Sequence, residues 1–328
     1  MLQRTLADGT AVSAVSLGAM WFGTRVDEAT SFAILDRFVD RGGTLIDTAN
    51  NYAYWLDEGA GGESETVIGR WLAGRKARDR VVLSTKVGGQ PKSGERPADG
   101  GPGPEGLSAA AIDAAIAGSL RRLGTDHVDV YWAHIEDRTV PLEETVAAFA
   151  ALTDQGKVGL IGASNHATWR VERARAIARA LGRPGYTCLQ LRYSYLQPRL
   201  HAALPRAGHL HVTEETLDYV RNEPELTLWT YNALLAGAYT RSDKPMQEAY
   251  EHPGTHRRRA VLEDIAAETG ATPNQVVLAW LLGRPQLIPI VGVSTVAQLD
   301  ESLDAIDLRL DDDQRNRLDL ADPCPPPT

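Results

Sequence analysis

A (β/α)₈ TIM barrel with an N-terminal β-hairpin and extra helices is the fold class that this sequence predicts, and three observations predict it. Eight short β-branched or apolar runs recur along the chain, each followed by a stretch with helical periodicity. Strands alternating with helices imply a parallel sheet. The length, 328 residues, fits eight such units in one large barrel better than in a doubly wound open sheet. No linker divides the chain, so residues 1–328 read as a single domain.

The elements follow in order. Leu2–Leu6 and Ala11–Ala14 flank a tight turn at Asp8-Gly9 and read as a hairpin, a lid for the barrel floor. The eight strands are Val15–Leu17, Thr44–Ile46, Val81–Thr85, Val128–Ala133, Val158–Gly162, Thr187–Leu191, Leu226–Thr230 and Leu287–Val291. Helical periodicity covers Asp27–Asp40, Glu63–Ala73, Ala109–Leu123, Leu142–Gln155, Trp169–Leu181 and Glu214–Val220. It returns as a pair at Arg257–Glu268 and Pro273–Leu282, and then at Val296–Ile306. Thr272 and Gln275 form a capping box with Pro273 at the favoured first position. Gly124 and Gly156 are placed to end their helices. Gly88–Gly106 reads as a long mobile loop, and Pro323–Thr328 as a tail ordered only if docked.

Composition narrows the function. Apolar residues at 43% and charged residues at 23% are close to the globular average and exclude a disordered or collagen-like chain. A net charge of −9, from 34 basic and 43 acidic residues, argues against nucleic-acid and anionic-membrane partners. Cys188 and Cys324 are too few for a disulfide scaffold. No apolar run approaches the roughly 20 residues of a membrane span, and the start MLQRTLADGT lacks a secretory signal. The expected setting is the cytoplasm.

A parallel barrel gathers its chemistry where strands end and the following loops begin. The second strand ends at Asp47, with Tyr52 just beyond; the third ends at Lys86 and the fourth at His134. A lone His or Lys at a strand end is usually structural. Four different titratable types at successive ends make a set. It lacks a nucleophile with an adjacent base and suits proton transfer to a carbonyl oxygen. A phenol titrates near 10, and a neighbouring ammonium favours its phenolate. Asp47 would hold Lys86 charged, and a neutral His134 would polarise and orient the carbonyl. Such chemistry needs a hydride from a nicotinamide cofactor.

The chain resembles the aldo-keto reductase superfamily. The likeness is carried by LIDTANNY at 45–52, STKVG at 84–88, SLRRLGTDHVDVYWAH at 119–134, GKVGLIGASNH at 156–166 and IPIVGVSTVAQLDESL at 288–303, in the family's order. The resemblance implies that Asp47, Tyr52, Lys86 and His134 are the catalytic tetrad and that the cofactor is NADP(H). It implies further that Ser164, Asn165 and Gln190 hold the nicotinamide carboxamide and that Tyr231 stacks on the ring. Leu234 to Gly237 would form the pyrophosphate loop, and Gly292, Ser294, Gln298 and Glu301 would receive the adenosine end. Taken alone, Gln190 could equally satisfy a buried backbone group, and Tyr231 could be a core aromatic.

The chain departs from the family pattern at Ser294 and Gln298, where relatives often carry a basic residue for the 2′-phosphate, and at Ser302, where Asn is usual. NAD(H) is therefore a weaker alternative cofactor, with Arg241 or Arg284 as other sources of charge. The strand-seven motif reads YNALLAG where Ser-Pro-Leu is commoner. Rossmann and P-loop fingerprints are absent, and no second His lies at ligand spacing from His134, so no metal is expected. His201, His209 and His211 read as a solvated loop, and Arg257–Arg259 and Asp311–Asp313 as solvated helix faces or caps.

The expected partner is a small carbonyl or alcohol substrate, walled by Trp21, Phe22, Tyr54 and Trp55 on loops around the mouth. The loops at 56–62, 88–106 and 200–212 would shape its specificity. Two other readings stay open at this level. One is a nicotinamide-binding redox-sensing subunit of the same fold without turnover; the other is a barrel hydrolase or isomerase. The oligomeric state is not legible.

Overall fold

The computed structural model describes residues 1–57, 59–92, 104–199, 202 and 208–321. His201, Cys324, the tail at 323–328 and parts of the three loops, including 93–103, lie outside them.

The hairpin is β1 (Gln3–Thr5) and β2 (Ala11–Ser13), antiparallel with Arg4 opposite Val12. The barrel strands are β3 (Ser16–Gly18), β4 (Leu45–Asp47), β5 (Val82–Val87), β6 (Val128–Ala133), β7 (Val158–Ser164), β8 (Cys188–Arg192), β9 (Thr227–Tyr231) and β10 (Leu287–Gly292). All eight pair in parallel, and β10 closes on β3. The helices are α1 (Glu28–Asp40), α2 (Glu63–Arg75), α3 (Ala109–Leu123), α4 (Leu142–Asp154), α5 (Thr168–Ala180), α6 (Glu214–Asn222), α7 (Pro253–Thr269), α8 (Pro273–Leu282), α9 (Val296–Asp304) and α10 (Asp312–Asp319).

Local chemistry accounts for the helix ends. Thr272 and Gln275 make the reciprocal capping box of α8 behind Pro273. Gly124 ends α3 in the left-handed region at φ +65°. α10 is an element that apolar periodicity did not announce. Leu318 is its one buried residue, so it lacks an apolar stripe, and Asp311 and Gln314 start it with a capping box. The acidic run at 311–313 is thus a cap, as its composition suggested.

Two apolar layers result. The outer layer packs helices against the outside of the barrel. The inner layer fills the barrel with Leu45, Val130, Trp132, Cys188, Trp229, Ile288 and Ile290. Trp132 and Trp229 meet edge to face at 4.9 Å. A Cβ on Gly162 would sit 2.4 Å from the Trp132 ring, so a glycine there admits the indole. Leu6 and Val12 of the hairpin join this inner layer from below. Arg4 bolts the hairpin down, donating to the carbonyls of Leu282 at 2.6 Å and Arg284 at 3.3 Å. The floor is sealed, and the open end is the one where β4 to β10 finish.

Candidate active site

Asp47, the last residue of β4, is buried and accepts four hydrogen bonds. Ser84 Oγ (2.7 Å) and Gln190 Nε2 (3.2 Å) donate to Oδ1; Lys86 Nζ (2.5 Å) and Tyr52 OH (3.3 Å) donate to Oδ2. Lys86 has a side chain with 0% exposure and spends its remaining protons on Thr48 O (2.7 Å) and Tyr52 OH (2.9 Å). Three ammonium protons thus meet three acceptors, which a buried ammonium requires. Burial pulls the Lys86 pKa below the usual lysine value, while Asp47 and the more distant Glu65 pull it back up. The His134 ring lies edge-on to Tyr52, centroids 6.0 Å apart and planes at 76°. The four tetrad residues read from the sequence are therefore brought together.

The loop that carries Tyr52 is tied to β5. Asn50 N donates to Lys86 O at 3.3 Å. Asn50 Nδ2 (2.8 Å) and the backbone N–H groups of Gly88 (2.7 Å) and Gln90 (3.3 Å) all donate to Glu105 Oε1. Burial raises the pKa of Glu105, against the pull of these donors. Ser84 was within reach of sequence reasoning, because it lies two residues before Lys86 on the same face of a strand. Glu105 was not, since it returns from the far end of a long loop.

The residues expected to meet the nicotinamide also converge. Asn165 follows β7 with φ +58°, a left-handed conformation that Asn tolerates. Its Nδ2 donates to His134 O (3.1 Å) and Ser164 Oγ (3.0 Å); its Oδ1 accepts from Tyr231 OH (2.7 Å) and Leu210 N (3.1 Å). Tyr231 also meets the ring of His209 edge to face at 5.5 Å. His211 is half-buried against Tyr193 at 6.1 Å, with its pKa lowered by burial, so the described histidines of this loop are packed rather than solvated.

Beyond β9 the backbone turns left-handed at Asn232, Leu235, Ala236 and Gly237, beside Leu234. Asn232 Nδ2 is buried with no partner among the described residues. Gly292, ending β10, is exposed opposite Gly18. At the start of α9 the Gln298 side chain accepts from Ser294 N at 2.8 Å, and Glu301 is turned toward the α8 cap, accepting from Thr272 Oγ1 at 2.7 Å. Arg241 lies beside Gly237, paired with Asp243. Arg284 lies at the floor, against Trp280 and Asp319, and is remote from the mouth.

Of the expected substrate wall, Trp21, Tyr54 and Trp55 cluster, with centroids 6.1 Å (Trp21–Trp55) and 5.2 Å (Tyr54–Trp55) apart and Arg25 stacked on Trp21 at 4.2 Å. Phe22 does not belong to it. Its side chain is fully buried and packs in the outer core.

The family model for the aldo/keto reductase family matches residues 14–322. The chain belongs to the aldo/keto reductase family. This oxidoreductase is 36% identical over 310 residues to the uncharacterized oxidoreductase YrpG of Bacillus subtilis, covering 92% of this chain and 90% of that one. It is 30% identical over 326 residues to the norsolorinic acid reductase stcV of Emericella nidulans, covering 93% and 77%. Among solved structures, the thermostable aldo-keto reductase Tm1743, in complex with the inhibitor epalrestat, superposes with a TM-score of 0.75 at 25% identity, over 98% of this chain and 100% of that one.

Aldo/keto reductases generally depend on a nicotinamide cofactor, and the mouth of this one has donors to fit it. They are Gln190 Nε2, which keeps a second proton beside the one given to Asp47, and the orphaned Asn232 Nδ2. No helix among the described residues is long and apolar enough to cross a membrane.

Proposed function

We propose that this aldo/keto reductase is a cytoplasmic, single-domain, NADP(H)-dependent enzyme that reduces an aldehyde or ketone to an alcohol, with Tyr52 as the general acid. The observation that carries the reading is the position of Lys86 Nζ, 2.5 Å from Asp47 and 2.9 Å from Tyr52 at the open end of the barrel. The bound nicotinamide supplies the hydride. Tyr52 gives its proton to the carbonyl oxygen as negative charge develops there. Lys86 stabilises the phenolate left behind, and Asp47 keeps the ammonium charged and aimed. His134, edge-on to Tyr52, orients the same oxygen. Ser164, Asn165 and Gln190 would hold the carboxamide, Tyr231 the ring face, and Asn232 to Gly237 the phosphates. Gly292, Ser294 and Gln298 would receive the adenosine end.

Trp21, Tyr54 and Trp55 would form an aromatic wall for the substrate. An aromatic carbonyl suits such a wall, and a relative named as an aryl-alcohol dehydrogenase supports that class. The test is NADPH oxidation followed across a panel of aromatic and aliphatic aldehydes, ketones and sugar lactols. Turnover of at least one aromatic aldehyde, abolished in Tyr52→Phe, is the expected result. No turnover of any carbonyl, with dinucleotide binding intact, would overturn it in favour of redox sensing.

A further inference from the structure

Two arginines of this chain are almost equally buried and differently matched. Arg175, 5% exposed, has carboxylates from Glu172, Glu223 and Glu225 around it and donates to Tyr219 OH. Arg192, 6% exposed, has none among the described residues. Its Nε donates to Tyr250 OH at 3.2 Å and its Nη2 to Gln247 Oε1 at 2.8 Å, both neutral, and the guanidinium stands 5.9 Å from the Tyr250 ring. Its Nη1 carries no hydrogen bond among the described residues. A guanidinium taken out of water without an anion is strongly disfavoured, and such groups are normally paired.

The strand places this charge. Cys188, Gln190 and Arg192 alternate along β8 on one face. Cys188 is in the inner layer and Gln190 reaches Asp47, so that face is the barrel interior and Arg192 is its last residue before the mouth. Across the ladder it stands opposite Tyr231, next to Asn232 with its unpartnered Nδ2. Lys86 adds no free charge there, since Asp47 balances it.

We propose that Arg192 is an anion-holding residue at the mouth, whose missing partner is an oxyanion, phosphate or carboxylate, of the ligand that lies over Tyr231. The inference rests on the reading of the mouth as the ligand site. Two molecules could bring the oxyanion: the dinucleotide, through its pyrophosphate, or a carbonyl substrate that itself carries a carboxylate. What Arg192 offers it is Nη1, since Nε and Nη2 are engaged by Tyr250 and Gln247.

Arg192→Met removes the charge at similar volume, and Arg192→Lys keeps the charge without the guanidinium. Thermal unfolding without dinucleotide, in sodium phosphate against sodium chloride at equal ionic strength, reads the site independently of turnover. Phosphate is expected to raise Tm in the wild type by several degrees more than in Arg192→Met, with Arg192→Lys between. In chloride alone Arg192→Met should melt at or above the wild-type temperature, because an unmatched buried charge is gone. A dinucleotide source predicts a tenfold or greater rise in the Kd of NADPH, by fluorescence titration, in Arg192→Met. A substrate source predicts instead that the ratio of kcat/KM for 4-carboxybenzaldehyde over benzaldehyde falls at least tenfold, with the Kd unchanged. If Arg192→Met melts lower in chloride while phosphate response, Kd and that ratio all match the wild type, Arg192 only straps the 247–250 segment to the barrel and the proposal is wrong. A wild type that responds to phosphate but neither binds dinucleotide nor turns over carbonyls would sink the reductase reading and leave the anion site standing.

Discussion

At the scale of single residues the site is an exercise in matching protons to acceptors. Lys86 has three protons and three acceptors, Asp47 receives four donors, and Tyr52 OH lies between them. If Tyr52 is the proposed general acid, Tyr52→Phe should lower kcat by about 10²–10⁴-fold, the usual worth of such a group, with NADPH binding unchanged by fluorescence titration. Near wild-type turnover in that variant would disprove the assignment. Lys86→Met removes the cation 2.9 Å from the phenol. Alcohol oxidation needs the phenolate, so its acidic limb should move to higher pH, and an unchanged profile would make Lys86 structural. The tetrad was legible in the sequence because each member stands at or just past a strand end, where a parallel barrel exposes its chemistry. Arg192 was not singled out, although it stands on the same face as Gln190; what marks it is the lack of a counter-charge, which only packing reveals. Phe22 misled for the converse reason, since a loop position does not say which way a ring turns.

At the scale of elements the strands were legible to within one or two residues, because β-branched runs between helical stretches leave little latitude. The charged α10 escaped because it buries one residue, and its only sequence mark is the cap at Asp311. The link that cannot be read from sequence is Glu105, which ties the Asn50 loop to Gly88 and Gln90 across the segment at 93–103. Glu105→Ala leaves two backbone donors and one amide without their acceptor, so the Tyr52 loop loosens. We expect kcat to fall about tenfold while the Kd of NADPH stays constant, since no cofactor contact is touched. An equal loss in both would mean that the whole mouth had collapsed. At the start of α9, Gln298 accepts from Ser294 N, and neither residue brings a charge. A charge-assisted bond contributes about 1.5–3 kcal/mol against about 0.5–1.5 for a neutral one, so NADPH should be preferred over NADH only modestly. Ser294→Arg should widen that preference by roughly tenfold, through a lower Kd for NADPH. A wild type that already discriminates several thousandfold would point instead to Arg241, since Arg284 lies at the floor.

At the scale of the whole molecule a filled, sealed barrel carries titratable groups that its mechanism never uses, and these set its response to acid. His166 is buried against Tyr186, with Nδ1 2.8 Å from Ser164 O, and desolvation lowers its pKa from 6.5 to about 4. His211 is shifted the same way by burial. In the unfolded chain both take up a proton near 6.5, whereas the folded protein resists it. Their contribution is thus complete above that pH and drains away as pH falls below it, for His166 down to about 4. Glu105 works in the opposite sense, because burial raises its folded pKa and it favours the folded state at the acid end of its window. Two histidines act against this one glutamate, and the large shift is that of His166. Urea unfolding at a series of pH values should therefore show stability falling as pH drops, with His166 alone contributing on the order of 3 kcal/mol by pH 4. His166→Asn keeps a donor for Ser164 O but cannot titrate. It is expected to be less stable at pH 7, having lost its contact with Tyr186, and yet to show a visibly shallower pH dependence. If the slope between pH 6.5 and 4 is the same in both proteins, His166 takes up its proton in the folded state, and the acid sensitivity of this barrel must come from its carboxylates.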